Sequence, residues 1–284
     1  MVIIFCITVG IRERFGYDMI FPIYDVIYYI ILKFFNLSRG GNKMKIFDIP
    51  KTHFISHRGF TPLAPENSLP SFYYAGLLGQ WAIETDVHMT RDGEIVCCHN
   101  DTLDKYCNGV GKISEMSYSE LRRFEIVNGN RVECFNKEER KIPLFSEYLS
   151  ICRRFGSIPF IELKTDDAEQ IIYELHKNGF SDDEVVMSSC ALSRLVETRC
   201  YTSDMFIHWI FAEENKLSEL CDLGNAGFSL CISDPLACDE KRIVTAHKMG
   251  LKVCLRAADD VGSLEHMKTL GLDYFPTNKM HDGI

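Results

Sequence analysis

The sequence lacks the patterns that mark several common classes of protein. Its 12 cysteines include no C-x-x-C pair, which argues against a structural zinc site or a thioredoxin-like redox centre. No lysine or arginine run is present and the formal net charge is −9, so a nucleic-acid partner is not expected. The N-terminus has neither the basic region nor the small-residue cleavage site of a signal peptide, so a signal peptide is not expected. We therefore expect a cytoplasmic protein with reduced thiols.

What is present is the composition of an ordinary globular protein. The chain has 284 residues, of which 46% are hydrophobic and 25% are charged. These fractions exclude a disordered, collagen-like or disulfide-stapled chain. The length predicts one large α/β domain or at most two small ones.

The first 43 residues differ from the rest. Residues 1–36 are apolar and aromatic without a helix or strand period, and Arg39-Gly40-Gly41-Asn42-Lys43 resembles a translated purine-rich ribosome-binding site. We expect residues 1–43 to be an uncertain extension before a mis-assigned start, and residues 44–284 to form the functional domain. The alternative is a membrane anchor over residues 19–36, although Pro22, Asp25 and Lys33 interrupt that stretch.

If Met44 is the true start, N-terminal sequencing of the native protein should begin there. A peptide from upstream of Met44 would contradict this prediction and favour the anchored form.

From residue 53 onward, short apolar runs alternate with amphipathic segments. Near-continuous apolar runs are typical of parallel strands that are covered on both faces, and glycines after the amphipathic segments are typical helix ends. Eight such strand–helix units predict a (β/α)₈ TIM barrel, with a doubly wound open sheet as the alternative. The strand candidates are His53–His57, Trp81–Val87, Ile158–Leu163, Glu184–Ser188, Met205–Ile210, Phe228–Ile232, Leu251–Leu255 and Asp273–Pro276.

One segment is too long for a simple strand–helix connection. Residues 88–143 lie between the second and third strand candidates, and Asp92-Gly93 within them is a hairpin-turn dipeptide. We interpret this segment as an insertion between strand 2 and strand 3 on the catalytic face of the barrel.

Three carboxylates lie at the ends of the predicted strands. Residues two apart on a strand share a face, so Glu84 faces the same way as Asp86, and Glu162 the same way as Lys164. Carboxylates held close together repel one another, and a divalent cation removes that conflict. Oxygen ligands favour Mg²⁺ or Ca²⁺. The alternative is that Glu84 or Glu162 forms a salt bridge with a barrel cation such as Lys164.

Two histidines flank this cluster. His57 ends the first strand and His99 lies within the insertion. A histidine pair can share acid and base roles near neutral pH, and Arg58 offers a planar fork to a phosphate. Together with a metal, the set indicates phosphodiester cleavage.

These residues belong to an ordered series that resembles the glycerophosphodiester phosphodiesterase family over roughly residues 53–278. The resemblance implies a TIM barrel, a divalent metal, and hydrolysis of glycerophosphodiesters to sn-glycerol 3-phosphate and an alcohol. The series runs His57-Arg58-Gly59, Pro65-Glu66-Asn67-Ser68, Glu84-Thr85-Asp86-Val87 with Thr90 and Asp92-Gly93, His99 with Thr102-Leu103, and Glu162 with Lys164.

The resemblance also implies a role for each matched position. His57 and His99 would be the general base and acid, and Arg58 and Lys164 would contact the phosphate. A cluster of three would bind the metal, namely Glu84, Asp86 and Glu162. Glu66 and Asn67 would support the site from its rim.

Four positions depart from the family pattern. Asn100 and Asn278 stand where the family usually has aspartate, and Lys105 stands where it often has arginine. Cys254-Leu255-Arg256-Ala257 replaces a stretch that often contains a Trp wall for the substrate. Because these departures avoid the expected metal ligands, we expect them to affect the choice of alcohol headgroup more than the reaction, and Arg256 would favour an anionic one.

Two other functions remain open. One is a membrane-surface phospholipase of the sphingomyelinase D or phosphatidylinositol phospholipase C type, and the other is a non-catalytic relative that binds phosphodiesters. The Pro-Glu-Asn-Ser series and the Glu162–Lys164 spacing favour a glycerophosphodiester phosphodiesterase that acts on a small soluble substrate over the phospholipase. We assign His88, two residues past Asp86, a surface or rim position.

Overall fold

The computed structural model describes residues 53–230, 238–255, 259, 266–267 and 269–278. Within them, eight parallel strands form one sheet, and a short ninth strand pairs antiparallel to it. The strands are β1 His53–Ser56, β2 Ala82–Met89, β3 Ile95–Cys97, β4 Ile158–Leu163, β5 Val186–Ser189, β6 Phe206–Trp209, β7 Ala226–Leu230, β8 Lys252–Leu255 and β9 Tyr274–Thr277.

The eight parallel strands close into a barrel. Each strand pairs with its neighbour in the order β1, β2, β4, β5, β6, β7, β8 and β9, and β9 returns to β1 with Ser56 opposite Thr277. A closed sheet has no open edge, so the alternative of a doubly wound open sheet is wrong. All eight predicted strands are present, with ends that differ by up to two residues.

Helices connect the barrel strands on the outside. They are α1 Leu69–Leu77, α2 Tyr118–Leu121, α3 Phe145–Phe155, α4 Ala168–Lys177, α5 Leu192–Tyr201, α6 Leu217–Leu223 and α7 Glu240–Lys248, with single 3₁₀ turns at Ile113–Glu115, Val132–Cys134, Asp182–Glu184 and Glu214–Lys216. The predicted glycine stop operates at Gly156, which caps α3 with φ +67° and lets β4 start two residues later. None of the helices in these residues is long and apolar enough to cross a membrane.

The predicted insertion is a separate packing unit attached to β2. The Asp92-Gly93 turn leads into β3, which pairs antiparallel with the end of β2. Alternate residues of β3 then face two cores, because Cys97 packs with the barrel and Val96 packs with the insertion. The insertion's own buried cluster, called the satellite core below, is Val96, Cys98, Leu103, Cys107, Ile113, Leu121, Ile126 and Ile142.

A polar contact lies inside the barrel core. His208 of β6 is 2% exposed, and its Nδ1 lies 2.5 Å from the hydroxyl of Tyr274 while its Nε2 lies 2.8 Å from the hydroxyl of Ser229. Both ring nitrogens therefore have partners, as burial requires. Gly227 leaves room for Tyr274, since a Cβ there would lie 2.3 Å from the tyrosine oxygen.

The remaining expectations concern the cysteines, the N-terminal segment and Arg256. The ten cysteines in the described residues are free thiols. The proposed start at Met44 and the alternative membrane anchor lie outside the described residues, as does Arg256.

His208 should make the fold sensitive to acid. Burial lowers its pKa from 6.5 to about 3, so between these values the unfolded chain binds a proton that the folded chain does not. Unfolding then takes up a proton, and stability falls as pH falls from about 6.5 toward 3. Between pH 6.5 and 4.5 the contribution is on the order of 2 kcal/mol.

Denaturant unfolding at these two pH values measures the effect. The variant His208→Gln should lose less stability over the interval than the wild-type chain. The control His176→Gln, at a half-exposed site on α4, should keep most of the wild-type slope. Equal slopes for wild type and His208→Gln would show that the buried ring is not responsible.

Candidate active site

The residues singled out from the sequence meet at the carboxyl ends of β1, β2 and β4. His57 and Arg58 follow β1, the pair Glu84 and Asp86 belongs to β2, and Glu162 lies one residue before the end of β4. This is the end of a (β/α)₈ barrel where loops and strand ends build sites. The insertion leaves the barrel from the same end, after β2, as predicted.

The three carboxylates form one buried cluster. Asp86 stands directly opposite Glu162 in the β2–β4 register, and Glu84, Asp86 and Glu162 each offer an oxygen within 4.8 Å of the others. They are 5%, 0% and 8% exposed, respectively. Burial, followed by the neighbouring charges of Asp86 and Glu162, raises the pKa of Glu84 well above its usual value.

Two cationic side chains contact this cluster. Lys164 Nζ lies 2.5 Å from Glu162 Oε1 and 3.0 Å from Asp86 Oδ1, and Arg58 Nε lies 3.5 Å from Asp86 Oδ2. Burial opposes ionisation of Asp86, but the charges of Lys164 and then Arg58 outweigh it and lower its pKa. The salt bridge between Glu162 and Lys164 that the sequence suggested as an alternative is therefore present. It involves carboxylates that could also bind a metal ion.

The donor set fits a divalent cation. Asp86 Oδ1 is buried and lies 3.0 Å from the Lys164 ammonium. With all four nearby carboxylates ionised, the two cationic side chains leave two negative charges unbalanced, and burial together with this like charge raises the pKa of Glu84. The four belong to Glu66, Glu84, Asp86 and Glu162. Carboxylate oxygens are the ligands that Mg²⁺ and Ca²⁺ prefer.

The His57-Arg58-Gly59 turn has a geometric cause. Arg58 has φ +56°, and this left-handed turn points its backbone N–H at Glu84 Oε2, 2.7 Å away. Gly59 has φ +81°, and a Cβ there would lie 2.3 Å from Ser71 Oγ at the start of α1. The glycine thus lets the turn pass against the helix while the arginine amide holds Glu84.

The Pro-Glu-Asn-Ser series supports the cluster from behind. Glu66 accepts two hydrogen bonds from Arg58 Nη1, at 3.0 and 3.1 Å. Asn67 donates from Nδ2 to Asp86 Oδ2 at 2.8 Å, and its Oδ1 accepts from the Thr85 hydroxyl at 2.7 Å. Ser68 caps the N-terminus of α1. Glu66 and Asn67, which were expected to support the site from its rim, thus contact Arg58, Thr85 and Asp86.

Each of the two histidines contacts the side-chain oxygen of an asparagine through its Nδ1 atom. His57 Nδ1 lies 3.0 Å from Asn278 Oδ1, and His99 Nδ1 lies 2.8 Å from Asn100 Oδ1. Burial, followed by the charge of Arg58, lowers the pKa of His57 below 6.5. The half-buried His57 ring is therefore neutral at pH 7, the form that can accept a proton.

Three residues near the site differ from the sequence-based expectations or carry no sequence signal. His88 is 9% exposed and its Nε2 lies 3.4 Å from the backbone oxygen of His99. Of the surface or rim position expected for it, the surface position is wrong, because β2 continues to Met89 and His88 is covered. Cys190, just after β5, places Sγ 3.6 Å from Glu162 Oε1. Asp259 binds Asn278. No motif marks Cys190 or Asp259 in the sequence.

The fold and site together define a TIM-barrel protein with a carboxylate-and-histidine centre at the C-terminal face of the barrel. The sequence profile of the glycerophosphoryl diester phosphodiesterase family matches residues 57–221, more than half of the chain. This chain belongs to that family.

Individual relatives agree with the family match. Glycerophosphodiester phosphodiesterase 1 of Mus musculus is 29% identical over 141 residues, which are 48% of this chain and 42% of the mouse protein. Glycerophosphodiester phosphodiesterase of Bacillus altitudinis is 31% identical over 146 residues, 49% of this chain and 58% of that protein. The matches thus span less than two thirds of either relative.

Solved structures share the fold. A putative glycerophosphoryl diester phosphodiesterase from Silicibacter pomeroyi superimposes with a TM-score of 0.69 at 22% identity, covering 81% of this chain and 91% of that one. A phosphodiesterase from Oleispira antarctica, solved in complex with the product sn-glycerol-3-phosphate, gives a TM-score of 0.71 at 22% identity, covering 80% and 93%. These likenesses confirm the predicted barrel.

The acidic cluster predicts stabilisation by a divalent cation. Mg²⁺ or Ca²⁺ should raise the Tm of the purified chain and chelator should reverse the effect, with about 2.7 kcal/mol of added stability at 100 times the Kd. Glu84→Gln should weaken or abolish the metal response. The same variant should be more stable than wild type without metal, because it removes a buried like charge.

Glu219→Gln, at an exposed position on α6, is the control and should respond as the wild type does. Absence of any Tm change with millimolar Mg²⁺ and Ca²⁺ would contradict a metal site at these carboxylates.

Proposed function

We propose that this chain hydrolyses glycerophosphodiesters to sn-glycerol 3-phosphate and an alcohol, with the help of one divalent cation, Mg²⁺ or Ca²⁺. The observation that carries the proposal is the set of three buried carboxylates with two histidines and two cationic side chains at the C-terminal face of the barrel. Family membership supports the same reaction. So does the product sn-glycerol-3-phosphate bound in the Oleispira antarctica relative.

Glu84, Asp86 and Glu162 would hold the cation. When bound, it would supply positive charge that polarises a phosphoryl oxygen. Lys164 contacts two of these carboxylates and Arg58 contacts Asp86 and Glu66. In the proposed complex the Lys164 and Arg58 side chains also contact the phosphate, and the planar guanidinium can donate two parallel hydrogen bonds to two phosphate oxygens.

His57 would be the general base. Its Nδ1 is occupied by Asn278, which leaves Nε2 to accept the proton of the nucleophile, either water or a hydroxyl of the substrate's own glycerol. Attack by the hydroxyl would give a cyclic phosphate that water then opens. In both cases the new P–O bond forms as the P–O bond to the departing alcohol breaks.

His99 would be the general acid. Its Nδ1 faces Asn100, and in the protonated ring Nε2 carries a proton for the departing alcohol oxygen. His88 contacts the backbone oxygen of His99 and so steadies the segment that carries the acid. After direct attack by water the two histidines have exchanged protonation states, and exchange with water restores them. On the cyclic route, opening of the ring by water runs both proton transfers in reverse and restores the two histidines itself.

We further propose that the substrate is a small soluble diester and that the enzyme acts in the cytoplasm. The free state of the ten described cysteines supports a reducing compartment. Attachment to a membrane through residues 1–43 is the alternative.

Release of sn-glycerol 3-phosphate from a mixture of glycerophosphodiesters tests the function. The purified full chain should release it with Mg²⁺ or Ca²⁺ and stop when chelator is added. His57→Ala should lower kcat by roughly 100-fold or more, the usual contribution of a positioned acid or base.

The control is His176→Ala, which removes a histidine that pairs with Asp182 on the outer surface. It should keep wild-type activity. No release by folded wild-type chain with either metal would contradict the proposal. Intact sphingomyelin and phosphatidylinositol would then separate a phospholipase from a non-catalytic binding protein.

A further inference from the structure

Asp259, four residues beyond the end of β8 in sequence, holds the residue that contacts His57. Its Oδ1 accepts the backbone N–H of Asn278 at 2.8 Å, and its Oδ2 accepts the side-chain Nδ2 of Asn278 at 2.9 Å. The Thr277 hydroxyl donates to the same carboxylate at 3.2 Å. Asn278 is therefore bound by both its backbone and its side chain to a single aspartate.

These contacts determine which way the Asn278 amide points. An ionised carboxylate only accepts hydrogen bonds, so the amide nitrogen must face Asp259 and the amide oxygen must face His57. That oxygen also only accepts, and it lies 3.0 Å from His57 Nδ1. His57 Nδ1 must then carry the hydrogen, and the neutral ring keeps its lone pair on Nε2.

The second histidine has no comparable support among the described residues. Asn100 contacts His99 through Oδ1, but within this part of the chain no carboxylate accepts a hydrogen bond from its amide nitrogen. The Asn100 amide can reverse, and His99 can take either tautomer. The two histidines differ, therefore, in how strictly one nitrogen is kept free of hydrogen.

We propose that Asp259 is a positioning residue for the reaction, which orients the Asn278 amide and thereby keeps the lone pair of His57 on Nε2. The inference rests on the proposed function, in which His57 is the base. Asp259 acts only through Asn278. A carboxylate placed directly against the ring would favour the charged imidazolium, whereas the interposed amide orients the ring and leaves it neutral.

The variant Asp259→Asn tests this role in the full chain. The Asn278 backbone N–H and the Thr277 hydroxyl still require the oxygen of the new amide. Its NH₂ group then meets the Asn278 side chain, so the Asn278 amide no longer keeps its oxygen toward His57. We expect kcat to fall about tenfold, a part of the usual contribution of a general base, while KM stays within about twofold. Imidazole ¹⁵N shifts, assigned with His57→Ala, should change from the Nδ1–H tautomer to a mixture with Nε2–H.

A compensating substitution separates this role from general damage. Asp259→Asn combined with Asn278→Asp puts an acceptor-only oxygen back against His57 Nδ1. Read at a pH above the pKa of the ring, which the adjacent carboxylate raises, the Nδ1–H tautomer should return, and kcat at that pH should recover at least in part. The control Asp222→Asn changes an exposed carboxylate on α6 and should leave kcat, Tm and the His57 tautomer unchanged.

An unchanged His57 tautomer in Asp259→Asn would overturn the inference, and so would failure of the compensating substitution to restore it. The tautomer is read without substrate. A tautomer change together with a wild-type chain that turns over no glycerophosphodiester would therefore overturn the proposed function while supporting the contact from Asp259 to His57.

Discussion

The site depends on the burial of like charges at adjacent strand ends. Glu84, Asp86 and Glu162 are held within 4.8 Å of one another where water is nearly excluded, and isolated buried carboxylates are costly. The neighbouring side chains are arranged to meet that cost. Lys164 and Arg58 supply charge, and the Asn67 amide supplies a hydrogen bond to Asp86. Two of these partners, Arg58 and Asn67, need left-handed backbone, with φ of +56° and +49°.

Much of the fold could be predicted because a closed parallel barrel has a strong sequence pattern. Strands covered on both faces are continuous apolar runs, and glycines such as Gly156 end the helices between them. The carboxylate cluster followed from strand geometry, since residues two apart share a face. Strand ends were less accurate because pairing with a neighbour decides them: β3 extends β2 to Met89, and a single-sequence pattern does not contain that pairing.

Loop residues escaped prediction for a different reason. Asp259 belongs to no motif, and its partner Asn278 lies 19 residues away on the next strand end. Neither a helical nor a strand period relates such positions. Asn100 and Asn278, by contrast, were recognised as departures from the family pattern. In the structure both asparagines have the same kind of contact, with Oδ1 against the Nδ1 of one of the two histidines. Two changes that look unrelated along the chain therefore affect equivalent contacts.

The satellite core separates the packing of the segment that carries His99 from the packing of the barrel. His99 follows directly on the junction where Cys97 packs with the barrel and Cys98 packs with the insertion. One set of buried side chains forms the core of the barrel, and the segment that leads to His99 packs with the other set. Substitutions in the satellite core would therefore alter the surroundings of His99 while leaving the buried side chains of the barrel core unchanged.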